Sequence, residues 1–258
     1  MRHFPVILAA WTLAVSIPVA AEELTIVSTV TAMGQAKTST TYMGSAKYAQ
    51  SDGERGTILE YATGRIVTID LKKKEYWETS VAEMSVMAQQ TSDRMKQLSE
   101  QMKPQAAQMM EKMMGGALGQ VTVQKGTGSK KIAGYDCEPY TIAMGDAMKI
   151  EMWTTTALHP PAQMFDARRA MVGPANPMTL EKMLAEMKKI GGYPLAETTT
   201  FSVTGARTGL EKSTEERNMV TATEATEVKK GPIPSSAFDV PAGFRRVESP
   251  YKFAAGAK

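Results

Sequence analysis

The sequence predicts an α+β fold, with about eight to ten mostly antiparallel strands and helices inserted between strand groups so that they lie on one face of the sheet. Three observations carry the prediction. Apolar residues alternate with polar ones at period two through much of residues 24–79 and 121–154, the period changes to three and four over residues 80–102, and two long Thr- and Glu-rich stretches follow between 195 and 228. No fixed-period repeat and no linker divides the chain, so residues 22–258 read as one domain.

Ahead of that domain, residues 1–21 carry Arg2, an apolar run from Phe4 to Val19, and the small pair Ala20-Ala21 before Glu22-Glu23. This is the pattern of a secretory signal peptide cleaved near Ala21; the run is too short, and too abruptly acidic at its end, to be a comfortable membrane span. No Cys lies at the junction to receive a lipid. The expectation is therefore a soluble chain exported to a bacterial periplasm, neither a lipoprotein nor an integral membrane protein.

In the mature chain, Leu24, Ile26 and Val30 alternate with Thr25, Thr29 and Thr31, opening an antiparallel meander of about four or five strands with turns at Ser51-Asp52-Gly53, Thr63-Gly64 and Lys72-Lys73-Lys74. Ser80 and Glu83 then stand at capping-box spacing. Met84, Met87, Thr91, Met95, Leu98 and Met102 follow on one helical face, so residues 80–115 read as a long Met-rich helical segment, interrupted at Pro104 and stopped by Gly115-Gly116. Strands resume over residues 121–123, 131–144 and 148–154; in the last, Met148, Ile150 and Met152 face one way and Lys149, Glu151 and Trp153 the other. Residues 161–190 read as a further helical insertion, with Asn176 as N-cap, Pro177 at the first position and Gly191 as the stop. Two polar strands turn near Gly205 to Gly209, and the Pro-punctuated end is expected to pack down through Phe238 and Phe244.

The order of these pieces resembles the exported bacterial family called domain of unknown function 4412. The resemblance rests on residues 61–78 ending in Tyr76-Trp77, on Lys131-Ile132-Ala133-Gly134-Tyr135-Asp136-Cys137-Glu138, on residues 148–153, on Gly192-Tyr193-Pro194-Leu195, and on residues 233–244. The layout is similar to the curved half-barrel of periplasmic lipoprotein carriers such as LolA and LolB. That likeness implies a concave sheet and covering helices with a lipid or acyl chain between them. No residue motif of those carriers occurs in the chain, so none of their functional residues is carried over.

Composition narrows the function classes. A chain that is 43% hydrophobic and 22% charged is globular, and 30 Lys plus Arg against 27 Asp plus Glu gives +3, too near balance to imply nucleic acid as partner. One Cys rules out an intramolecular disulfide framework and any CxxC site, and two His make a His-built metal or catalytic centre a poor reading. No GxSxG, Walker-type loop or GxGxxG appears, and His159 before Pro160-Pro161 and Glu215-Glu216 have no evident catalytic neighbours. No enzyme activity and no cofactor are expected. Cys137 reads either as a buried structural thiol or as a redox-sensitive one.

Methionine is the anomaly, with 20 in the chain. Thioether side chains are flexible and polarizable and suit a surface that adapts to varied apolar shapes, though they also simply fill cores. The leading expectation is a binding or carrier protein that shelters a lipid or acyl group, free or on a lipidated protein. Its cavity would lie between Met84, Met87, Met95, Leu98 and Met102 on the helix and Val67, Ile69, Ile150 and Met152 on the sheet. One alternative is an envelope interaction or stress-sensing module that grips a protein partner with its Met surface. The other is a Cu(I) or Ag(I) binder using Met109, Met110, Met113 and Met114 at helical i,i+3 and i,i+4 spacing.

Overall fold

The computed structural model describes residues 22–101, 121–145, 148–161, 163, 190, 192–203 and 217–249. Six strands open the chain: β1 (Leu24–Ala32), β2 (Gln35–Met43), β3 (Lys47–Ser51), β4 (Arg55–Glu60), β5 (Arg65–Asp70) and β6 (Glu75–Ser80), each antiparallel to the next. Their turns follow local chemistry. Met33 and Gly34 join β1 to β2 with φ of 51° and 76°, the left-handed pair whose twist matches a two-residue hairpin. At the β3–β4 turn the Asp52 carboxylate accepts the backbone N–H groups of Glu54 (2.9 Å) and Arg55 (2.7 Å), which holds its pKa below the ordinary carboxylate value.

After helix α1 (Val81–Gln101) come β7 (Val121–Lys125), β8 (Lys130–Ile132), β9 (Tyr135–Met144), β10 (Met148–Thr155), β11 (Tyr193–Val203), β12 (Arg217–Lys230) and β13 (Arg245–Arg246). All thirteen form one sheet in the order β13-β6-β5-β4-β3-β2-β1-β12-β11-β10-β9-β7, with β8 paired to β9 off this path. The meander and the later strands meet where β1 pairs with β12. β13 alone runs parallel to its neighbour, β6.

Register sorts the side chains onto two faces, because residues directly opposite share a face and neighbours in one strand do not. Leu24, Ile26 and Ser28 face one way, with Met43, Tyr48, Leu59 and Ile66 opposite them in turn across β2 to β5. In the other direction Val30 lies opposite Thr223, Thr223 opposite Glu197 and Glu197 opposite Met152, so Met152 and Ile150 share this face. The second face carries Ala49, Ile58, Val67 and Ile69, a buried cluster covered by Phe238, Val240 and Phe244 of the C-terminal segment. Burying each large aliphatic there contributes about 1.5–3 kcal/mol. Gly44 admits Phe238 at this cover, since a Cβ at residue 44 would lie 3.0 Å from the ring's Cζ.

The sheet is strongly curved. Tyr48 on β3 and Tyr193 on β11 pack against the same core cluster, although β2, β1 and β12 lie between their strands. On a flat sheet four strand spacings would hold them ~19 Å apart. Two β-bulges concentrate the bend: β12 gains Thr226 opposite the Val27/Ser28 step, and β11 gains Leu195 opposite the Trp153/Thr154 step. The Ile26 face is therefore concave and the Val67 face convex.

The predicted α+β class needs correction. Thirteen strands dominate the described residues and α1 is the one α-helix among them; it packs chiefly on β6, the strand it continues from, and does not lie across the sheet. The expected long helical segment 80–115 is 21 residues of helix as far as Gln101. Residues 102–120 and nearly all of the expected insertion 161–190 lie outside the described residues. The physical reason lies in the sheet itself. By curling it buries apolar rows against one another on its concave side, and the C-terminal segment covers the convex cluster, so neither of these described clusters is built on α1. At its start α1 has a complete capping box, with Glu83 N–H donating to Ser80 Oγ (3.1 Å) and Ser80 N–H to Glu83 Oε2 (3.0 Å).

Candidate functional site

A cavity of about 190 Å³ opens on the concave face where β1, β2 and β3 approach β11 and β12. Its position follows from the two bulges. Pro194, which cannot donate to a ladder, sits at the β11 bulge, and the local turn of the chain brings Tyr193, Leu195 and Glu197 to the same opening. Gly192 makes this approach possible: its φ is +83°, and a Cβ there would lie 2.1 Å from the Thr155 carbonyl oxygen.

Two kinds of wall meet in the cavity. Ile26, Leu195 and Ala225 are buried and apolar. Opposite stand hydroxyl and amide groups fixed by one another: Tyr48 Oη donates to Gln50 Oε1 (2.7 Å), and Gln50 Nε2 donates to the buried Ser39 Oγ (3.1 Å). These bonds hold the Tyr48 and Gln50 side chains in place before any ligand arrives. Glu197 is half-buried and accepts the Thr199 hydroxyl at 3.2 Å. Tyr61 stands near Tyr48 and Tyr193; burial first, then those two neighbours, push its pKa above the ordinary phenol value. Its hydroxyl is buried without a hydrogen-bond partner among the described residues.

Beyond Glu197 and Thr199 the concave face turns apolar. One row runs straight across five strands through Val121, Met144, Met148, Phe201 and Met219. Its far end is open, with Phe201 42% and Met219 49% exposed. The next row holds Val123, Ile142 and Ile150, which pack with Tyr140 and Met152 as a cluster of their own, and it continues through Thr199 and Thr221 on β11 and β12.

The structure separates the residues that the sequence grouped. Ile150 and Met152 lie on the concave face, Met152 directly opposite Glu197. Val67 and Ile69 lie on the convex face, and Val67 lines a different cleft of about 150 Å³ beneath Phe238 and Val240. A single cavity formed by those four sheet residues is therefore corrected: one place in a strand decides the face, and Ile66, not Val67, points to the concave side. Met84 and Met87 are half-buried on α1. The side chains of Met95 and Leu98, and residues Met102, Met109, Met110, Met113 and Met114, lie outside what is described. Sequence reasoning missed Tyr48, Gln50, Tyr193 and Glu197. The available signal was a Tyr and a Gln two places apart in a strand, and a lone carboxylate in the Thr-rich stretch after Pro194.

Other candidates resolve locally. Cys137 is completely buried, donates weakly to the Tyr135 carbonyl at 3.5 Å, and burial pushes its thiol pKa up, which is the environment of an inert thiol. His159 is exposed, and its carbonyl accepts the Glu22 N–H at 3.1 Å. Glu215 and Glu216 lie outside the described residues. Among the described residues no cluster of three or more His, Cys, Asp or Glu could hold a metal, and no helix is long and apolar enough to cross a membrane.

Among solved structures the chain is similar to PNGF-II, at 13% identity and a TM-score of 0.40, over 90% of this chain and 32% of that one. It is similar to the Pseudomonas aeruginosa MucA/MucB complex at 10% identity and a TM-score of 0.38, over 86% of this chain and 56% of that one. A LolA superfamily protein of Nitrosomonas europaea is similar at 9% identity and a TM-score of 0.25, over 86% and 91% of the two chains. The chain thus spans about a third of the first and just over half of the second. No curated protein matches the sequence. Residues 69–244, well over half of the chain, match the family described as domain of unknown function DUF4412, and the chain belongs to that family.

Proposed function

We propose that the protein is a non-enzymatic binding or carrier protein for an amphiphilic lipid or acyl compound, exported to the periplasm by cleavage near Ala21 and acting as a single domain over residues 22–258. One observation carries this reading: a cavity with a polar wall continues, on the same concave face, into an apolar band that is half open to solvent. From Glu197 to Phe201 is four residues along β11, or ~14 Å at ~3.4 Å per residue. That length suits a medium acyl chain lying on Met148, Phe201 and Met219 with its polar end in the cavity. Methionines in the band adapt to chains of varied shape, and their burial drives binding at about 25 cal/mol per Å² before ordering costs. The cavity alone is below the ~300 Å³ typical of closed ligand pockets, so the band is needed for the chain.

Native mass spectrometry of the mature protein, purified gently from a bacterial periplasm, tests the proposal. A lipid-sized adduct lost on denaturation, and reduced when Phe201 and Met219 are both changed to Gln, is the expected result. Both side chains are already partly exposed, so the double variant should fold. A bare mass that stays bare after offering lipids would reject it. A second reading, an envelope module that grips a protein, draws on Val220, 46% exposed on the convex side of the same strand end. It makes that end apolar on both faces, as a protein contact surface would be.

A further inference from the structure

We infer that the head group held in the cavity is cationic, an ammonium borne on the amphiphile. This rests on the binding reading above and specifies the charge of its ligand. Glu197 is the one formally charged side chain among the described residues lining the cavity. It is half-buried, and among the described residues it accepts only the Thr199 hydroxyl and forms no ion pair. A carboxylate drawn partly out of water regains its lost solvation best from a cation.

The described lysines nearest along the register do not supply one. Along one register row Glu197 is followed by Met152, Tyr140 and Lys125, and in the other direction by Thr223, Val30 and Lys37. Each lysine is three strands away, ~14 Å along the sheet. Each is also engaged elsewhere, Lys125 with Glu138 and Lys37 with Glu54, both at 2.7 Å. A phosphate or carboxylate head would therefore meet an uncompensated negative charge in a space of about 190 Å³. An ammonium meets its counter-ion and, beside it, the rings of Tyr48 and Tyr193, whose faces attract cations. Ile26, Leu195 and Ala225 accept the carbons next to the nitrogen.

Three probes of one chain length test this on the mature protein: decyltrimethylammonium, decanol and decanoate, each titrated calorimetrically below its micelle concentration. The expected result is one-to-one binding of decyltrimethylammonium at least tenfold tighter than decanol, with decanoate weakest. Glu197→Gln, which keeps shape and the acceptor for Thr199, should erase that advantage. Tyr193→Leu should narrow it about threefold. Equal binding of all three probes, or a preference for decanoate, would overturn the cationic inference while leaving the binding reading in place. So would an unchanged preference in Glu197→Gln. Binding of none of the three would reject both.

Discussion

At Gly192 the fold depends on a missing atom. A side chain there must adopt φ near +83° and also place a Cβ 2.1 Å from the Thr155 carbonyl oxygen, so backbone has to move against backbone. Gly192→Ala is expected to cost about 3 kcal/mol or more, read as a lowered urea midpoint, and to shift the Tyr193 and Glu197 resonances. The Gly34→Ala change makes a useful control, because its φ is also positive but nothing lies within 4 Å; its cost should stay at about 1 kcal/mol. The sequence singled out Gly192-Tyr193-Pro194-Leu195 as a motif but gave no reason for it. The reason is the meeting of β10 and β11 at a bulge, a contact between segments far apart in the chain.

At the scale of elements, β13 shows how a two-residue strand is held. Arg245 N–H donates to the Lys74 carbonyl (2.9 Å) and Val247 N–H to the Tyr76 carbonyl (2.8 Å), while Arg245 pairs with Glu75 and Arg246 with Glu78 (2.8 Å). Glu78 also receives Arg65 of β5 at 2.6 Å, and that hydrogen bond holds its carboxyl pKa below the usual value despite partial burial. A carboxylate with a depressed folded pKa stabilises the native state above its unfolded value of about 4.3, and that contribution is lost as pH falls through the lower folded value. Amide-exchange protection at Val247 should therefore fall between pH 6 and pH 3. Glu78→Gln should lower it about fivefold at pH 6, about 1 kcal/mol, and flatten most of the pH dependence. An unchanged profile in Glu78→Gln would assign β13 docking to its backbone bonds alone. Local signals were strongest for such elements: the Ser80/Glu83 capping box and the Asp52 turn are both present as hydrogen bonds, because all partners lie within a few residues.

For the whole molecule, the two halves of the sheet join through contacts between distant parts of the chain. Thr226 Oγ1 donates to the Val27 carbonyl, 199 residues away, at the bulge where β1 meets β12. Pairing of such separated strands pays loop-closure entropy before it gains contacts, so folding should be slow for the protein's size. The convex core has a different cover and should respond independently. Phe238→Ala uncovers Ala49, Ile58, Val67 and Ile69, and is expected to cost about 2 kcal/mol while leaving ligand affinity on the opposite face unchanged. Parallel thermal melts and decanol titrations of that variant check both halves of the statement.

By itself the sequence determined where strands alternate, where α1 begins, and that Phe238 and Phe244 pack inward, because each is encoded by neighbours within a few places or by plain hydrophobicity. It also determined that Met148, Ile150 and Met152 share a face. It could not determine which strand residues from different segments share a face with them. Val67 and Ile66 are equally apolar and adjacent, and only the pairing of β5 through β4, β3, β2, β1, β12 and β11 to β10 assigns them to opposite sides. The bend was likewise set by two bulges and a long-range pairing that leave no local periodic trace. The polar cavity follows from these: Tyr48 and Glu197 are unremarked in the sequence, and Tyr193 has no assigned role, until a curved sheet brings β3 and β11 together.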